Sequence, residues 1–284
     1  MILLISIKDQ CGRTMLEQVD DEGPSVMGSS PSSAPDGGVG PSIFATTLHG
    51  TARAPRQLLS ADERRRLALL ASIQRYEAGA YLFHQDDPAT AVYNIISGVA
   101  KSVTLLEDGR HAVLAFFFHH DLVGMFEGSR YAQSTQAVTP LTAYRLPADA
   151  LEQLLRRDPN LQLHFLCKLS HELRVAQRQA IMLGKFNAVQ RVSLFLDFLD
   201  RHPELHEREN EQVTIPMDRA DIADYVGLRI ESVSRVLQKL HRDRVIHVDG
   251  RHRFRIIDRD AFNQAMGGAV AEMDRGFADP VSVP

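Results

Sequence analysis

The sequence predicts an α+β chain: an antiparallel β-roll, a long helix and a winged helix-turn-helix, in that order. Three observations predict it. Five short runs rich in β-branched and aromatic residues crowd between Glu77 and Leu146. One uninterrupted helical segment follows from about residue 160. Near the C-terminus come a helix, a glycine turn, a second helix and a basic hairpin.

The 284 residues are 44% hydrophobic and 24% charged, with a net charge of −4. At roughly 100–200 residues per domain, two domains are expected, each able to bury a core. Two cysteines, Cys11 and Cys167, exclude a disulfide framework and a four-thiolate metal site within one chain. No apolar run approaches the roughly 20 residues a membrane helix needs. The short apolar start, Met1–Ile7, precedes its nearby cation Lys8, the reverse of a secretory signal. A cytoplasmic protein with no membrane partner is expected. Mild acidity argues against wholesale polyanion binding, so any nucleic-acid function must come from a local basic patch.

Residues 23–41 hold fourteen Gly, Pro or Ser among nineteen, too little apolar surface to offset ordering, so 1–57 is expected to be a disordered tail. Ser60 and Glu63 fit a capping box, with Leu67, Leu69 and Leu70 following on a short helix. The runs Tyr81–Phe83, Val92–Ile96, Ala100–Leu106, Ala112–Phe118 and Leu141–Leu146 are separated by turn signals such as Asp86-Asp87-Pro88 and Ser97-Gly98. Such spacing predicts a compact antiparallel barrel or double-sheet roll over 58–158. Ala148–Arg157 is a short helix ended by Asp158-Pro159. A long helix over 159–184 is expected to stop at Gly184. Along it Leu166, Leu169, Leu173, Ala176, Ala180 and Leu183 recur at spacings of 3, 4, 3, 4 and 3. A helix lying on its own domain can show that pattern, but so regular an uncharged seam favours self-pairing into a parallel dimer. Asn187–Arg201 is a further helix, and Glu204–Gln212 reads as a loop.

Residues 213–260 are the informative part, within a winged-helix DNA-binding domain expected over 185–263, and 264–284 are expected to be a second tail. Val213–Ile215 is a candidate short strand. Asp218 can cap a helix Arg219–Val226, with Asp221 in its first turn, and Gly227 supplies the turn into a helix over Ile230–Arg242. At about 100° per residue, Val233, Val236, Leu237 and Leu240 share one side of that second helix. Glu231, Ser234, Arg235, Gln238 and Arg242 share the other. These are groups that read base edges: Arg to guanine, Gln to adenine, Glu to the cytosine amine. An ordinary amphipathic surface helix looks the same in isolation. The C-terminal neighbour of this helix decides between them: Val245–Val248 and Phe254–Ile257 flank Asp249-Gly250, a hairpin signal, and Arg253 and Arg255 alternate with Phe254 and Ile256. Between Arg229 and Arg255 there are eight Lys or Arg against three Asp or Glu, a local phosphate footprint on an acidic chain. Double-stranded DNA is the expected partner. Arg219, Arg229, Arg242, Arg253 and Arg255 are the candidate phosphate contacts.

The run Ala188–Arg191, the run Met217–Leu228 and then Glu231-Ser232-Val233-Ser234-Arg235 resemble the Crp/Fnr transcription regulators. The Glu-x-x-Ser-Arg signature is that of the Fnr/FixK branch. The resemblance extends upstream through Val92–Lys101 and Asp121-Leu122-Val123-Gly124, and covers about Leu59 to Asp260. It implies a cyclic-nucleotide-binding-type β-roll, a dimerising long helix, and half-sites like TTGAT paired with ATCAA read by Glu231, Ser234 and Arg235. It also implies gene activation under low-oxygen or related metabolic control, with RNA polymerase touching the turn Glu107-Asp108-Gly109. Two positions depart from the family: Asp218 replaces the usual Thr cap, and Arg229 stands where Thr usually opens the recognition helix. Arg229 cannot accept a capping bond, which frees it for a phosphate.

No cofactor is expected. Cyclic-AMP-binding relatives carry a Glu just after the cassette Gly and an Arg-Ser pair further on; here Met125-Phe126 follow Gly124, and Ser129–Thr135 lacks the pair. Glu127 and Arg130 are the only substitutes. An iron–sulfur cluster needs four thiolates, and Tyr144 stands at the fourth ligand's place, so the likeness is to FixK-type members. No metal site is expected from His84, His111, His119 and His120: adjacent histidines on a strand point to opposite faces and rarely serve one ion, so solvated turn histidines are the expected reading. Cys167 reads as a buried structural thiol, with only Lys168 beside it to lower its pKa. The alternative function is a ligand-sensing regulator whose roll takes haem or a nucleotide. An enzyme is not expected: there is no His-x-His pair, Gly-x-Ser-x-Gly or Gly-rich phosphate loop.

Overall fold

A computed structural model describes residues 59–267, apart from 107–108, 110, 126–128 and 208–210. The expected tail over 1–57, Cys11, Glu107, Asp108, Phe126 and Glu127 therefore lie outside the described residues, as does 268–284.

The chain enters through α1 (Ala61–Leu70), where Ser60 Oγ accepts from the Glu63 amide and the Glu63 carboxylate accepts from the Ser60 amide, the reciprocal capping box. Eight strands follow: β1 (Ser72–Tyr76), β2 (Tyr81–Phe83), β3 (Ala91–Ser97), β4 (Ala100–Leu105), β5 (His111–Phe117), β6 (Leu122–Val123), β7 (Ser134–Ala137) and β8 (Leu141–Pro147). They form two antiparallel four-stranded sheets, ordered β1-β8-β3-β6 and β2-β7-β4-β5. The β3–β4 turn requires glycine. Gly98 has φ +88°, and a Cβ there would lie 2.3 Å from the Pro140 carbonyl oxygen. Between the sheets the roll is filled by aromatic rings: Phe83 stacks on Tyr131 at 3.7 Å, and the Tyr131 hydroxyl donates to the Ala91 carbonyl at 2.7 Å.

After α2 (Ala148–Arg157), Asp158 caps α3 by accepting from the Leu161 amide at 3.1 Å, and Pro159 takes the first helical position. Helix α3 spans Pro159–Lys185, running through Gly184 rather than stopping there. Gly184 is the penultimate residue of the helix, which ends one residue past it. The break comes at Phe186, whose backbone is extended.

The C-terminal unit begins with α4 (Ala188–Asp200), capped by a second box between Asn187 and Gln190. A 3-10 turn over Pro203–Leu205 interrupts the expected loop. Then come β9 (Val213–Thr214), α5 (Arg219–Val226), α6 (Ile230–Arg242), β10 (Ile246–Asp249), β11 (Arg253–Ile256) and α7 (Arg259–Ala265), with the strands ordered β10-β11-β9. Phe262 and Met266 are buried in this unit, the latter three residues past the expected boundary at 263. Its core is continuous with Val99, Val103, Val113, Phe116 and Phe118 on the β4–β5 side of the roll.

Candidate nucleic-acid interface

Helix α5 starts where Asp218 accepts from the Asp221 amide at 2.8 Å and ends at Gly227, which adopts the left-handed conformation (φ 62°, ψ 45°). A Cβ on Gly227 would also meet Leu183 of α3 at 2.9 Å, so the turn lies directly against the long helix. Helix α6 buries Val233, Val236, Leu237 and Leu240. Its opposite side presents Glu231, Arg235, Gln238 and Arg242 exposed, with Ser234 half-buried among them. Arg229 takes the N-cap position with no side-chain capping bond and is exposed, while Glu231 stands in the first turn, where the helix dipole favours a carboxylate.

The β10–β11 hairpin turns at Gly250 and pairs His247 with Arg255 and Asp249 with Arg253. Arg255 is exposed. Arg253 is held in ion pairs with Asp249 at 2.8 Å and Glu207 at 3.6 Å. Arg219 is half-buried, and its Nη1 has no hydrogen-bond partner among the described residues. Burial and the neighbouring Arg251 guanidinium both push the Arg219 pKa down. An arginine nonetheless keeps its charge in proteins, so the pair stores a repulsion that an anion would relieve. A second concentration of positive charge surrounds a cavity of about 400 Å³ lined by His241, Arg242, Arg244, His247 and Arg255 over Ile246 and Ile257. Arg244, Arg251, His241 and His247 are not among the sequence-predicted contacts; the count of basic residues is the signal that contains the two arginines.

Arg191 joins this unit to the long helix. Its guanidinium donates to the carbonyls of Leu183 (2.7 Å), Phe186 (2.7 Å), Val226 (3.3 Å) and Gly227 (3.3 Å). One planar fork therefore ties the end of α3, the joint and the helix-turn-helix turn together.

Helix α3 has two unlike sides. Toward the roll it buries Leu161, Phe165 and Lys168, the last only 2% exposed. Lys168 Nζ pairs with Asp121 at 3.1 Å and Glu172 at 2.8 Å, and Asp121 also accepts from the Phe118 amide at 2.8 Å. Burial pushes the Asp121 carboxyl up, but Lys168, the Phe118 amide and nearby His202 outweigh it and hold Asp121 below its usual range. Glu172 is pushed above its usual range by burial and by the Asp121 charge, against the pull of Lys168. Away from the roll, Leu166 is 46% and Leu173 60% exposed, with Ala176, Ala180 and Leu183 also exposed and Leu169 half-buried. A cavity of about 690 Å³ runs from the roll, where Phe83, Ser102, Gly124, Tyr131 and Thr135 line it, to α3 and α4, where Leu169, Ala176, Ala180 and Leu183 line it.

His119 and His120 fall in a turn, as the sequence predicts, but are half-buried rather than solvated. This turn follows β5, with His120 at φ +74°, and the two rings sit side by side at 3.5 Å rather than on opposite faces. His119 Nδ1 lies 2.5 Å from the Ile96 carbonyl oxygen. Among the described residues no group of three or more metal-ligating side chains is assembled. Cys167 is half-buried, not buried, and Lys168 is engaged with the two carboxylates. Arg130 donates to the Asp86 carbonyl.

Comparison with known proteins agrees with this architecture. Residues 73–158 match the cyclic nucleotide-binding domain, and residues 190–265 match the Crp-like helix-turn-helix domain. The transcriptional activatory protein AadR of Rhodopseudomonas palustris is 34% identical over 197 residues, covering 68% of this chain and 81% of that protein. This chain belongs to the Crp/Fnr family. The nitrogen fixation regulation protein FixK of Azorhizobium caulinodans is 32% identical, over 72% of this chain and 85% of its own. Among solved structures, FixK2 from Bradyrhizobium japonicum superposes with a TM-score of 0.64 at 28% identity, over 69% of this chain and 96% of that one. As a Crp/Fnr protein, the chain is a DNA-binding transcription regulator, and its relatives are regulators rather than enzymes. Among the described residues no helix is long and apolar enough to cross a membrane.

Proposed function

We propose that this regulator acts as a homodimer on a palindrome of TTGAT/ATCAA-like half-sites and activates genes under low-oxygen or related metabolic control. Glu231, Ser234, Arg235 and Gln238 read bases. Arg219, Arg229, Arg242, Arg253 and Arg255 hold phosphates, with Arg253 the weakest because Asp249 and Glu207 already occupy it. The observation that carries this reading is α6 itself: a buried apolar stripe behind an exposed face of carboxylate, guanidinium and amide, flanked by a basic wing. Self-pairing is supported by the exposed leucines of α3, which remain apolar and unburied within one chain. Activation through RNA polymerase at residues 107–109 rests on the family resemblance and on the name of the AadR relative. No small ligand is assigned to the roll, although the cavity beside α3 reaches Phe83, Gly124 and Tyr131 within it.

Selecting bound sequences from a random DNA pool tests this directly. The expected result is a palindrome with half-site centres about 34 Å apart, one helical turn. An asymmetric or unrelated site would refute it. The cavity beside α3 favours a second reading, in which haem or a nucleotide sets the dimer geometry. Absorption spectra without a haem band and calorimetry without nucleotide heat would eliminate it.

A further inference from the structure

The roll and the helix-turn-helix unit meet across a surface that no motif in the chain announces. Phe116 of β5 packs on Phe195 and Tyr225, with ring centroids 6.0 and 5.2 Å apart, and Phe118 meets Phe198 edge-on at 5.4 Å. Beside these rings Lys101 Nζ of β4 lies 2.5 Å from Asp221 Oδ1, in the first turn of α5. Their side chains are only 16% and 13% exposed. The covalent link between the two units is the short joint after Lys185, where Phe186 and Asn187 are extended.

Hydrophobic burial is strong but non-directional, so it does not by itself fix one register of the two units about that joint. A largely buried ion pair fixes one register, because any slip leaves a desolvated charge without its partner. Burial and the neighbouring Asp218 and Asp224 charges push the Asp221 carboxyl up against the pull of Lys101, and a buried ion pair in general returns little more than its desolvation costs. Its value is orientation. The polar face of α6 stays exposed while this contact is closed, so the contact does not cover the reading surface.

We propose that Lys101 and Asp221 are positioning residues, a latch holding each recognition helix at the angle that lets two copies engage both half-sites at once. The proposal rests on the dimeric reading given above. Two linked binding events gain ~10²–10⁴-fold over one only when geometry permits both together. Free rotation of the helix-turn-helix unit would erode that gain without touching base readout.

The test compares Lys101→Glu, Asp221→Lys and the double exchange in the full chain. Each is titrated with the selected palindrome and with DNA carrying one half-site, and amide hydrogen exchange is followed in β5 and α5. The ratio of the two affinities still carries the phosphate attraction of one added lysine in Asp221→Lys, so Lys101→Glu, which adds no lysine, is the deciding single variant. Each single variant is expected to lower the ratio by about tenfold or more, keep half-site binding and speed interfacial exchange. The double exchange is expected to restore both readouts, which a misfolded protein would not do. An unchanged ratio with unchanged exchange would overturn the latch, as would tighter palindrome binding by Lys101→Glu. If the unsubstituted protein shows no advantage for the palindrome, the dimeric reading falls and the half-site purpose of the latch with it; interfacial exchange then still decides whether the contact holds the two units together.

Discussion

The recognition helix α6 and the long helix α3 are both amphipathic, but they divide apolar and charged residues differently: α3 buries Lys168 as well as Leu161, Phe165 and Met182 and leaves further leucines exposed. Helix α6 buries valines and leucines and shows charge to solvent. Helix α3 buries Lys168, keeps Glu172 beside it, and shows Leu163, Leu166, Leu173 and Leu183 to solvent. A helix of the first kind is finished within one chain and needs only a polar ligand. A helix of the second kind leaves apolar area uncovered that costs about 25 cal/mol per Å² to keep wet, and a second copy can cover it. In the function proposed above, the contrast separates two tasks: α6 would read and α3 would pair.

Breaking the buried side of α3 should have the largest effect. Asp121→Asn strands Lys168 with a weaker partner and is expected to cost about 3 kcal/mol in denaturant unfolding. Glu172→Gln removes the acid already pushed toward its neutral form and is expected to be neutral or mildly stabilising. The pH dependence has the same sign. Because the Asp121 pKa is lowered on folding, its stabilisation is present above about pH 4 and is lost as pH falls through the lower native value. Asn at 121 should flatten that acid limb. Equal losses from both substitutions would contradict the assignment of charge within the cluster.

The exposed side comes next. Leu173→Lys should leave the single chain folded but split the dimer in sedimentation, lowering palindrome affinity by about 100-fold. A variant that stays dimeric would move the pairing surface elsewhere. Arg191→Lys keeps the charge but loses the planar fork across four carbonyls, and about a tenfold loss of palindrome affinity is expected with half-site binding retained. The smallest effect is expected at the wing. Arg251→Ala should weaken binding equally on all sequences and lower the salt slope by about 1 per subunit. A sequence-dependent loss there would mean that the wing reads bases.

The reading helix is legible in the sequence because its determinants are local. Asp218, Gly227 and the Val233–Leu240 stripe act over a few residues, and α5 and α6 span the residues those signals mark. In the roll, strands with strong apolar character are visible, while β1 (SIQRY) and β7 (STQA) are mostly polar and β6 is two residues long. Gly184 illustrates a signal that is only conditional. Glycine ends a helix where the chain needs a left-handed residue, and here the chain leaves α3 at Phe186 instead. The turn at His119-His120 is legible in the sequence, while the close approach of the two rings is not, because strand alternation does not apply inside a turn. The contacts that orient the site are not legible at all. Lys101 and Asp221 are 120 residues apart, and Arg191 reaches Val226 across 35.

The central claim is that the wet side of α6 reads bases, and a single-base scan of the selected half-site with the unsubstituted protein and with Arg235→Ala tests it most directly. The account predicts a loss of about 1–3 kcal/mol per half-site and collapsed discrimination at one base pair, with the others unchanged. Arg235→Ala binding its best site as tightly as before, with the same preference at every position, would contradict it.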